Sequence, residues 1–361
     1  MKIEINKDKL LNSLTIVNKG VTGKSPLPLL EGIYLESKDN YLILKGSDND
    51  LYIQTKISAT VIEEGSLVVS AHIFTEIIKK MPNGIINISN DKEMLVIKSK
   101  KTVFNVIYMD ATEYPQSPKI TADSYVSIPQ KVIKDMVRGT SFASAIESTR
   151  PILQGILFEA NEDRLDLVAL DGYRLAINTK ILENPISENF SLIVDSKCFQ
   201  EVAKMLDTKG DVKISHSENH ICFCFNNTVI YARLLQGTFI NYNSLLPSES
   251  VIKVKVPKDE LADSIERASL VGKSDKTNLV KFEINDDTIV ISSNSKLGKV
   301  TEEITAEVKG ENLKIAFNSK YVLDVLRVID DKDITLEFNN SVSPCIIKNT
   351  EYKYLLLPVR I

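Results

Sequence analysis

The sequence predicts an α+β protein made of three similar domains. Its 361 residues are enough for two or three domains. Three similar segments recur at intervals of about 120 residues: LEGIYLESKDNYLILKGSDNDL, RPILQGILFEANEDRLDLVALDGYRLA and LVKFEINDDTIVISSNSKLGKV. Two helix patterns also recur, each once in every third of the chain. Repetition of this kind indicates one structural unit used three times.

Each third opens with a strand that leads into a helix. The three openings are MKIEINKDKLLNSLTIV, YVSIPQKVIKDMVRGTS and IKVKVPKDELADSIERAS. Asn6, Pro129 and Pro257 align at the helix start, where a capping side chain or an early proline is favoured. Apolar residues then recur at i and i+4, which predicts one buried stripe on each helix.

A second helix follows two or more strands in each third. Its three versions are SAHIFTEIIKKM, DSKCFQEVAKML and NSKYVLDVLRVI. Further strands close each third, and prolines within residues 113–120 and at residue 247 mark the joints. The predicted domains are therefore residues 1–120, 121–247 and 248–361. Three unrelated α+β domains are the alternative to a repeat.

The composition is typical of a soluble cytoplasmic protein. Hydrophobic residues make up 43% of the chain and charged residues 25%. The N-terminus lacks the apolar core of a signal peptide, and no apolar run approaches the ~20 residues of a membrane-spanning helix. Four cysteines without a framework spacing fit a reducing compartment. The net charge of −4 argues weakly against nucleic acid as a partner, unless the basic residues are segregated.

The basic residues are in fact segregated onto the predicted helices. In the second helices the third position is His72, Lys197 or Lys320, and seven residues later come Lys79, Lys204 and Arg327. The first helix of the middle third adds Lys131, Lys134 and Arg138. Residues seven apart lie on one helix face, where cations attract phosphates without reading bases. An ordinary solvated face is the alternative, since Glu76, Glu201 and Asp324 could neutralise part of the charge.

Three segments together resemble a known family. RPILQGILFE, ALDGYRLA and the terminal LLLPVRI, in this order and spacing, resemble the bacterial DNA polymerase III beta subunit, the replicative sliding clamp. The resemblance covers the whole chain. It implies three clamp-type domains, each with two helices against β-sheets, and a head-to-tail homodimer that forms a six-domain ring. Twelve inner helices would leave a bore of roughly 28 Å, in which duplex DNA could slide.

The resemblance also implies roles for single residues. Lys24 would contact DNA from a loop. The ring would close between the first and third domains, with Phe104 on one side and Leu270 and Val271 on the other. For Phe104, packing in the core of its own domain is the alternative.

A hydrophobic cleft between the second and third domains would receive short linear motifs of partner proteins. By position in the family, the cleft residues are Leu153, Leu170, Gly172, Tyr173, Arg174, Leu175, Ile240, Leu245, Asn318, Tyr321, Val342, Pro344, Leu357, Pro358, Val359, Arg360 and Ile361. Arg174 would orient the peptide backbone or an acidic residue. Tyr173 stands where many members carry His, and Ser244 where some carry Arg. Core packing is the alternative for Leu153 and Leu175, and a frayed strand is the alternative for the C-terminal end.

The predicted function is that of a non-enzymatic processivity factor. Its implied partners are duplex DNA of any sequence, the DNA polymerase III alpha subunit, an ATP-dependent clamp loader, and other polymerases and repair factors. No metal is expected, because the spacing of His216, His220, Cys222 and Cys224 is not that of a zinc site. No cofactor and no membrane association are expected either. The GKS triplets also lack the upstream glycine of a phosphate-binding loop. An open-shaped duplex-binding protein is the alternative, and a mass measurement in solution would distinguish it.

Overall fold

A computed structural model describes residues 1–23, 25–120, 125–183, 185–186, 188–272, 278–296 and 298–360. It consists of two compact units. The first unit comprises Met1–Lys131 and Lys197–Leu234, and the second comprises Val132–Ser196 and Leu235–Ile361. Within the described ranges, no helix has both the length and the apolar character needed to cross a membrane.

The elements follow the predicted order of strands and helices. The helices are α1 (Lys7–Val17), α2 (Ala71–Lys80), α3 (Gln130–Thr140), α4 (Ser196–Met205), α5 (Lys258–Gly272) and α6 (Ser319–Leu326). The strands up to α4 are β1 (Lys2–Asn6), β2 (Gly32–Lys38), β3 (Tyr41–Ser47), β4 (Leu51–Ser58), β5 (Thr60–Glu63), β6 (Gly65–Ser70), β7 (Ile85–Asp91), β8 (Met94–Ser99), β9 (Thr102–Met109), β10 (Val126–Pro129), β11 (Gly155–Asn161), β12 (Arg164–Leu170), β13 (Arg174–Ile181) and β14 (Phe190–Asp195). The later strands are β15 (Asp211–His216), β16 (His220–Phe225), β17 (Thr228–Arg233), β18 (Ile252–Pro257), β19 (Leu279–Ile284), β20 (Thr288–Ser295), β21 (Gly298–Thr305), β22 (Glu307–Lys309), β23 (Leu313–Asn318), β24 (Asp333–Phe338), β25 (Cys345–Lys348) and β26 (Tyr352–Leu356).

The first unit contains a 13-stranded sheet with the order β10-β15-β16-β17-β4-β3-β2-β6-β9-β8-β7-β1-β5. Strands from the first and middle repeats meet where β17 pairs antiparallel with β4, from Thr228 opposite Thr55 to Ala232 opposite Leu51. A continuous ladder of backbone hydrogen bonds therefore joins these two repeats inside the unit.

The second unit contains a nine-stranded sheet, β14-β11-β12-β13-β26-β25-β24-β18-β22, and a four-stranded sheet, β21-β20-β19-β23. Here the middle and last repeats meet where β13 pairs antiparallel with β26, from Arg174 opposite Leu356 to Asn178 opposite Tyr352. This pairing brings the DGYR segment next to the C-terminal end of the chain.

The first helix of each repeat buries the predicted stripe. The stripe residues Leu10, Leu14, Ile133, Val137, Leu261 and Ile265 are at most 1% exposed. Burial of such a side chain contributes about 1.5–3 kcal/mol relative to leaving it in water. The start of α1 is also as predicted, because Oδ1 of Asn6 accepts hydrogen bonds from the backbone N–H groups of Asp8 and Lys9, at 2.9 and 3.2 Å.

Candidate functional site

An apolar patch lies on one face of the nine-stranded sheet. Its buried members are Leu157, Val168, Leu170, Leu175, Ile177, Ile193, Ile346 and Leu355, and its partly buried rim includes Ile152, Leu153, Leu235, Phe239, Ile240, Tyr242 and Leu246. The strand register places them together, because Leu170 pairs with Leu175 and Leu175 with Leu355. We call the buried members of the patch its floor. Of the predicted cleft residues, Leu170 and Leu175 therefore belong to the floor, while Leu153 and Ile240 belong to the rim. The floor residues are also core residues.

The segment after β26 is docked on the protein. The backbone N–H of Leu357 donates to the carbonyl of Tyr173 at 2.9 Å, and that of Val359 donates to the carbonyl of Ala316 at 2.8 Å. The side chains of Leu357 and Val359 are nevertheless each 39% exposed. We call Leu357–Arg360 the docked tail. The frayed-strand alternative is wrong, since two backbone hydrogen bonds fix this segment while its apolar side chains remain accessible; Ile361 lies outside the described residues.

The β12–β13 turn displays an aromatic side chain beside the docked tail. Oδ1 of Asp171 accepts hydrogen bonds from the N–H groups of Tyr173 and Arg174, at 2.9 and 3.1 Å. Gly172 has φ of +92°, a conformation that other residues rarely adopt. The turn leaves Tyr173 61% exposed. Its ring stacks on that of Tyr321, with the centroids 6.1 Å apart and the planes at 27°.

Arg174 is buried and forms hydrogen bonds to three separate segments of the second unit. Only 8% of the residue is exposed. Its Nε donates to Oδ2 of Asp171 at 3.0 Å, its Nη1 donates to Oδ2 of Asp324 at 2.7 Å, and its Nη2 donates to the carbonyl of Phe142. The guanidinium carbon also lies 4.5 Å from the centroid of the Tyr321 ring.

These contacts give Arg174 a role that was not predicted. Its guanidinium group bonds to two carboxylates and a carbonyl. It joins the β12–β13 turn to α6 and so positions the turn, while its contact with a bound peptide stays a prediction. Phe142 and Asp171 were not predicted as partners of Arg174, and Asp324 was considered only as a neutralising charge. The sequence did contain a signal for these partners. Arg174 stands next to Leu175, for which core packing was considered, and a buried arginine requires carboxylate or carbonyl partners.

The remaining predicted cleft residues all lie in the second unit. Leu245 and Val342 are exposed, while Pro344 is partly buried directly before β25. Asn318 caps α6, since its Oδ1 accepts a hydrogen bond from the N–H of Lys320 at 3.0 Å. Burial and then the nearby Asp171 carboxylate raise the pKa of Tyr321 above its ordinary value. Asn318 and Tyr321 thus help to build the site through α6.

The predicted basic residues on the helices are largely exposed, but many are paired. The same pair three residues apart occurs on each second helix: Lys79 with Glu76 at 2.7 Å, Lys204 with Glu201 at 2.6 Å, and Arg327 with Asp324 at 3.8 Å. The hydrogen bond from Lys79 lowers the pKa of Glu76 below its ordinary value. The charge neutralisation weighed from the sequence is therefore present in every repeat.

Two further contacts reduce the positive charge. Arg138 pairs with Asp330 at 2.9 Å, and Arg327 also pairs with Glu266 at 3.1 Å. His72, Lys131, Lys197 and Lys320 are exposed, and Lys134 is partly buried. Among the described residues, no ion pair engages Lys197 or Lys320. Lys24 lies outside the described part of the chain.

Two of the three residues predicted to close a dimer, Phe104 and Leu270, lie at accessible positions. Phe104 is 36% exposed on β9, so packing in the core of its own domain does not account for it. The strand β9 pairs with β8 along Thr102–Ile107, but with β6 only at Tyr108 and Met109 among the residues described. Leu270 is 68% exposed near the end of α5, whereas Val271 is partly buried.

Comparison with known proteins gives matches along the whole chain. Family models for the DNA polymerase III beta subunit match residues 1–118 (N-terminal domain), 127–241 (central domain) and 243–360 (C-terminal domain). The beta sliding clamp of Bacillus subtilis is 34% identical, with both chains covered completely. The crystal structure of the Bacillus subtilis DNA polymerase sliding clamp aligns with a TM-score of 0.97 at 33% identity, covering 100% of this chain and 99% of that one.

A second solved structure has the same fold at a lower sequence identity. The DNA polymerase III subunit beta of Pseudomonas aeruginosa, bound to griselimycin, aligns with a TM-score of 0.95 at 26% identity and complete coverage of both chains. The three matched domains and the mostly antiparallel sheets with paired helices confirm the predicted α+β fold class. The chain belongs to the DNA polymerase III beta subunit family, the beta sliding clamps.

Proposed function

We propose that this protein is a DNA polymerase processivity factor that performs no catalysis itself. Two copies close into a ring around duplex DNA in the cytoplasm, and the ring tethers a polymerase to its template. The observation that carries this proposal is the full-length match to sliding clamps, at a TM-score of 0.97. Its partners would be duplex DNA, the DNA polymerase III alpha subunit, an ATP-dependent loader, and other polymerases and repair factors.

The accessible edge of β9 supports ring closure. An unpaired strand edge that carries apolar side chains favours association with another chain. Besides Phe104, the exposed residues Val103 and Ile107 lie on β9. The strand β21 ends the four-stranded sheet of the second unit, as far as this sheet is described, and Leu270 is exposed in the same unit. We infer that the β9 edge of one copy meets the last domain of the other.

The apolar patch and the docked tail support the partner-binding role. A groove lined by apolar residues binds an extended peptide through the apolar anchors of the peptide, while a few polar groups fix the orientation of the peptide. In the proposed cleft the patch would supply the floor, and the exposed side chains of Leu357 and Val359 would supply a wall. The stacked rings of Tyr173 and Tyr321 supply an aromatic surface at the turn.

Retention on DNA tests the ring directly. We expect complexes on nicked circular DNA to survive gel filtration, and to dissociate once a restriction enzyme linearises the same circles. The physical reason is that a ring held by topology leaves only at an end. A variant with Phe104→Glu and Leu270→Glu should be retained on neither form, because charges at the closing surface prevent association. Equal retention before and after cutting would contradict the topological mechanism.

Salt dependence tests the DNA-facing residues. Lys197→Ala together with Lys320→Ala removes two exposed cations that have no ion pair among the described residues. The affinity for DNA should therefore fall. The slope of the logarithm of the binding constant against that of the salt concentration should decrease in magnitude by about 0.9 for each phosphate that is no longer neutralised. The matched variant, Lys204→Ala with Arg327→Ala, removes cations already paired with Glu201 and Asp324. It should change the slope less. Filter binding from low to high salt measures both slopes, and an unchanged slope in the first variant would exclude Lys197 and Lys320 as DNA-binding residues.

A further inference from the structure

A polar cavity lies on the same sheet face as the apolar patch. Its volume is about 690 Å³, and its lining includes Glu159, Arg164, Asp166, Phe190 and Tyr242. The ladder fixes its position, because Glu159 pairs with Asp166, four residues before Leu170 on β12. At about 3.3 Å per residue, the cavity is about 13 Å from Leu170, and about 7 Å from Leu157, which lies two residues before Glu159 on β11.

The positive charge in the cavity is already neutralised. Arg164 donates from Nε and Nη2 to the two carboxylate oxygens of Asp166, at 2.6 and 2.9 Å. The hydroxyl of Thr179 also donates to Oδ1 of Asp166, at 2.5 Å. This two-point pair satisfies Asp166 and leaves Arg164 little net attraction for an anion.

The carboxylate of Glu159, in contrast, forms no direct ion pair within the described part of the chain, although the nearby Arg164 interacts with it electrostatically. Its two carboxylate oxygens accept hydrogen bonds from neutral hydroxyls only, Ser191 at 3.1 Å and Tyr242 at 2.9 Å. Among the residues described, no cation forms an ion pair with it. The aromatic side chains of Tyr242 and Phe190 also line the cavity. A carboxylate beside aromatic rings attracts a lysine or arginine side chain by charge and by cation–π contact.

Tyr242 connects this cavity to the apolar patch. Its side chain packs against the patch, while its hydroxyl bonds to Glu159. A peptide lying on the patch would therefore pass directly beside the carboxylate. An extended peptide covers about 13 Å in four residues. Because a lysine or arginine side chain is itself long, about two or three residues between the apolar anchor and the basic residue are also enough.

We propose that this cavity is a subsite for a lysine or arginine that flanks the apolar motif of a partner peptide. The subsite depends on the proposed cleft function and gives that cleft a charge preference. The basic residue would lie two to four positions from the apolar anchor. Its head group would contact Glu159, and its stem would pass along the ring of Tyr242.

A thermodynamic cycle tests this subsite. The probe is a fluorescein-labelled peptide with a central Leu-Phe pair and neutral flanks, compared with versions that carry one Arg two, three or four positions before or after the pair. With the full chain, we expect one placement to bind about threefold to tenfold tighter than the neutral peptide. Glu159→Gln should erase that gain and leave the affinity for the neutral peptide unchanged.

Matched controls separate the possible failures. Glu63→Gln, an exposed position on β5 in the other unit, should keep the gain. No gain at any placement, or a gain that persists in Glu159→Gln, would overturn the subsite. If the neutral peptide itself does not bind, the cleft function fails and the subsite fails with it. The gain should also shrink at high salt, because it depends on an exposed charge pair.

Discussion

Deletion of residues 357–361 is expected to weaken the binding of a Leu-Phe peptide by at least about 100-fold, because truncation of two or more anchor residues typically costs this much. The docked tail contributes the exposed apolar side chains of Leu357 and Val359. It is held by two backbone hydrogen bonds, to Tyr173 and Ala316, so its removal leaves the sheets intact. Fluorescence anisotropy measures the affinity.

Two measurements accompany this deletion. Light scattering should show an unchanged mass, because the proposed dimer surface at Phe104 and Leu270 shares no residue with the tail. The double variant Leu357→Ser with Val359→Ser keeps both backbone hydrogen bonds and should lose most of the affinity as well. Peptide binding that survives the deletion would contradict the cleft assignment.

Arg174→Ala should destabilise the second unit by about 3 kcal/mol, because removing one member of a buried ion pair leaves uncompensated charge. The substitution would leave the carboxylate of Asp171 without its cation, and that of Asp324 with only its longer ion pair to Arg327, at 3.8 Å. Lys180→Ala is the matched control, since Lys180 on β13 also pairs with a carboxylate, that of Glu351, but the two side chains are 39% and 59% exposed. That control should cost less than about 1 kcal/mol.

Urea unfolding, together with hydrogen exchange at the amides of β13 and β26, measures the difference between the two variants. Arg174→Lys should be intermediate, because an ammonium group cannot bond to both carboxylates and the carbonyl in the same planar geometry. Peptide affinity should also fall in Arg174→Ala, since the turn that displays Tyr173 loses its support. Equal costs for Arg174→Ala and Lys180→Ala would contradict the stabilising role of Arg174.

The repeated architecture could be predicted because it depends on local patterns. Helix stripes have a short period, and Asn6 shows its capping role in the sequence itself. The ion pairs between Lys79 and Glu76 and between Lys204 and Glu201 could be anticipated for the same reason, since three residues separate each pair.

The contacts that build the site join distant segments, and the sequence does not specify such pairings. Arg174 and Asp324 are 150 residues apart. The ladder between β17 and β4 links two repeats, and so does the ladder between β13 and β26; neither was predicted. The domain boundaries at residues 120 and 247 remain a prediction, whereas the compact units of the structure follow these ladders and divide the middle repeat.

The docked tail also gives the biosynthesis of this protein a fixed order. Domains fold during synthesis from the N-terminus onward, and most of the buried patch residues lie on β11–β14, far upstream of Leu357 and Val359. A nascent chain that stops before Leu357 therefore has most of the floor of the proposed cleft but lacks its wall.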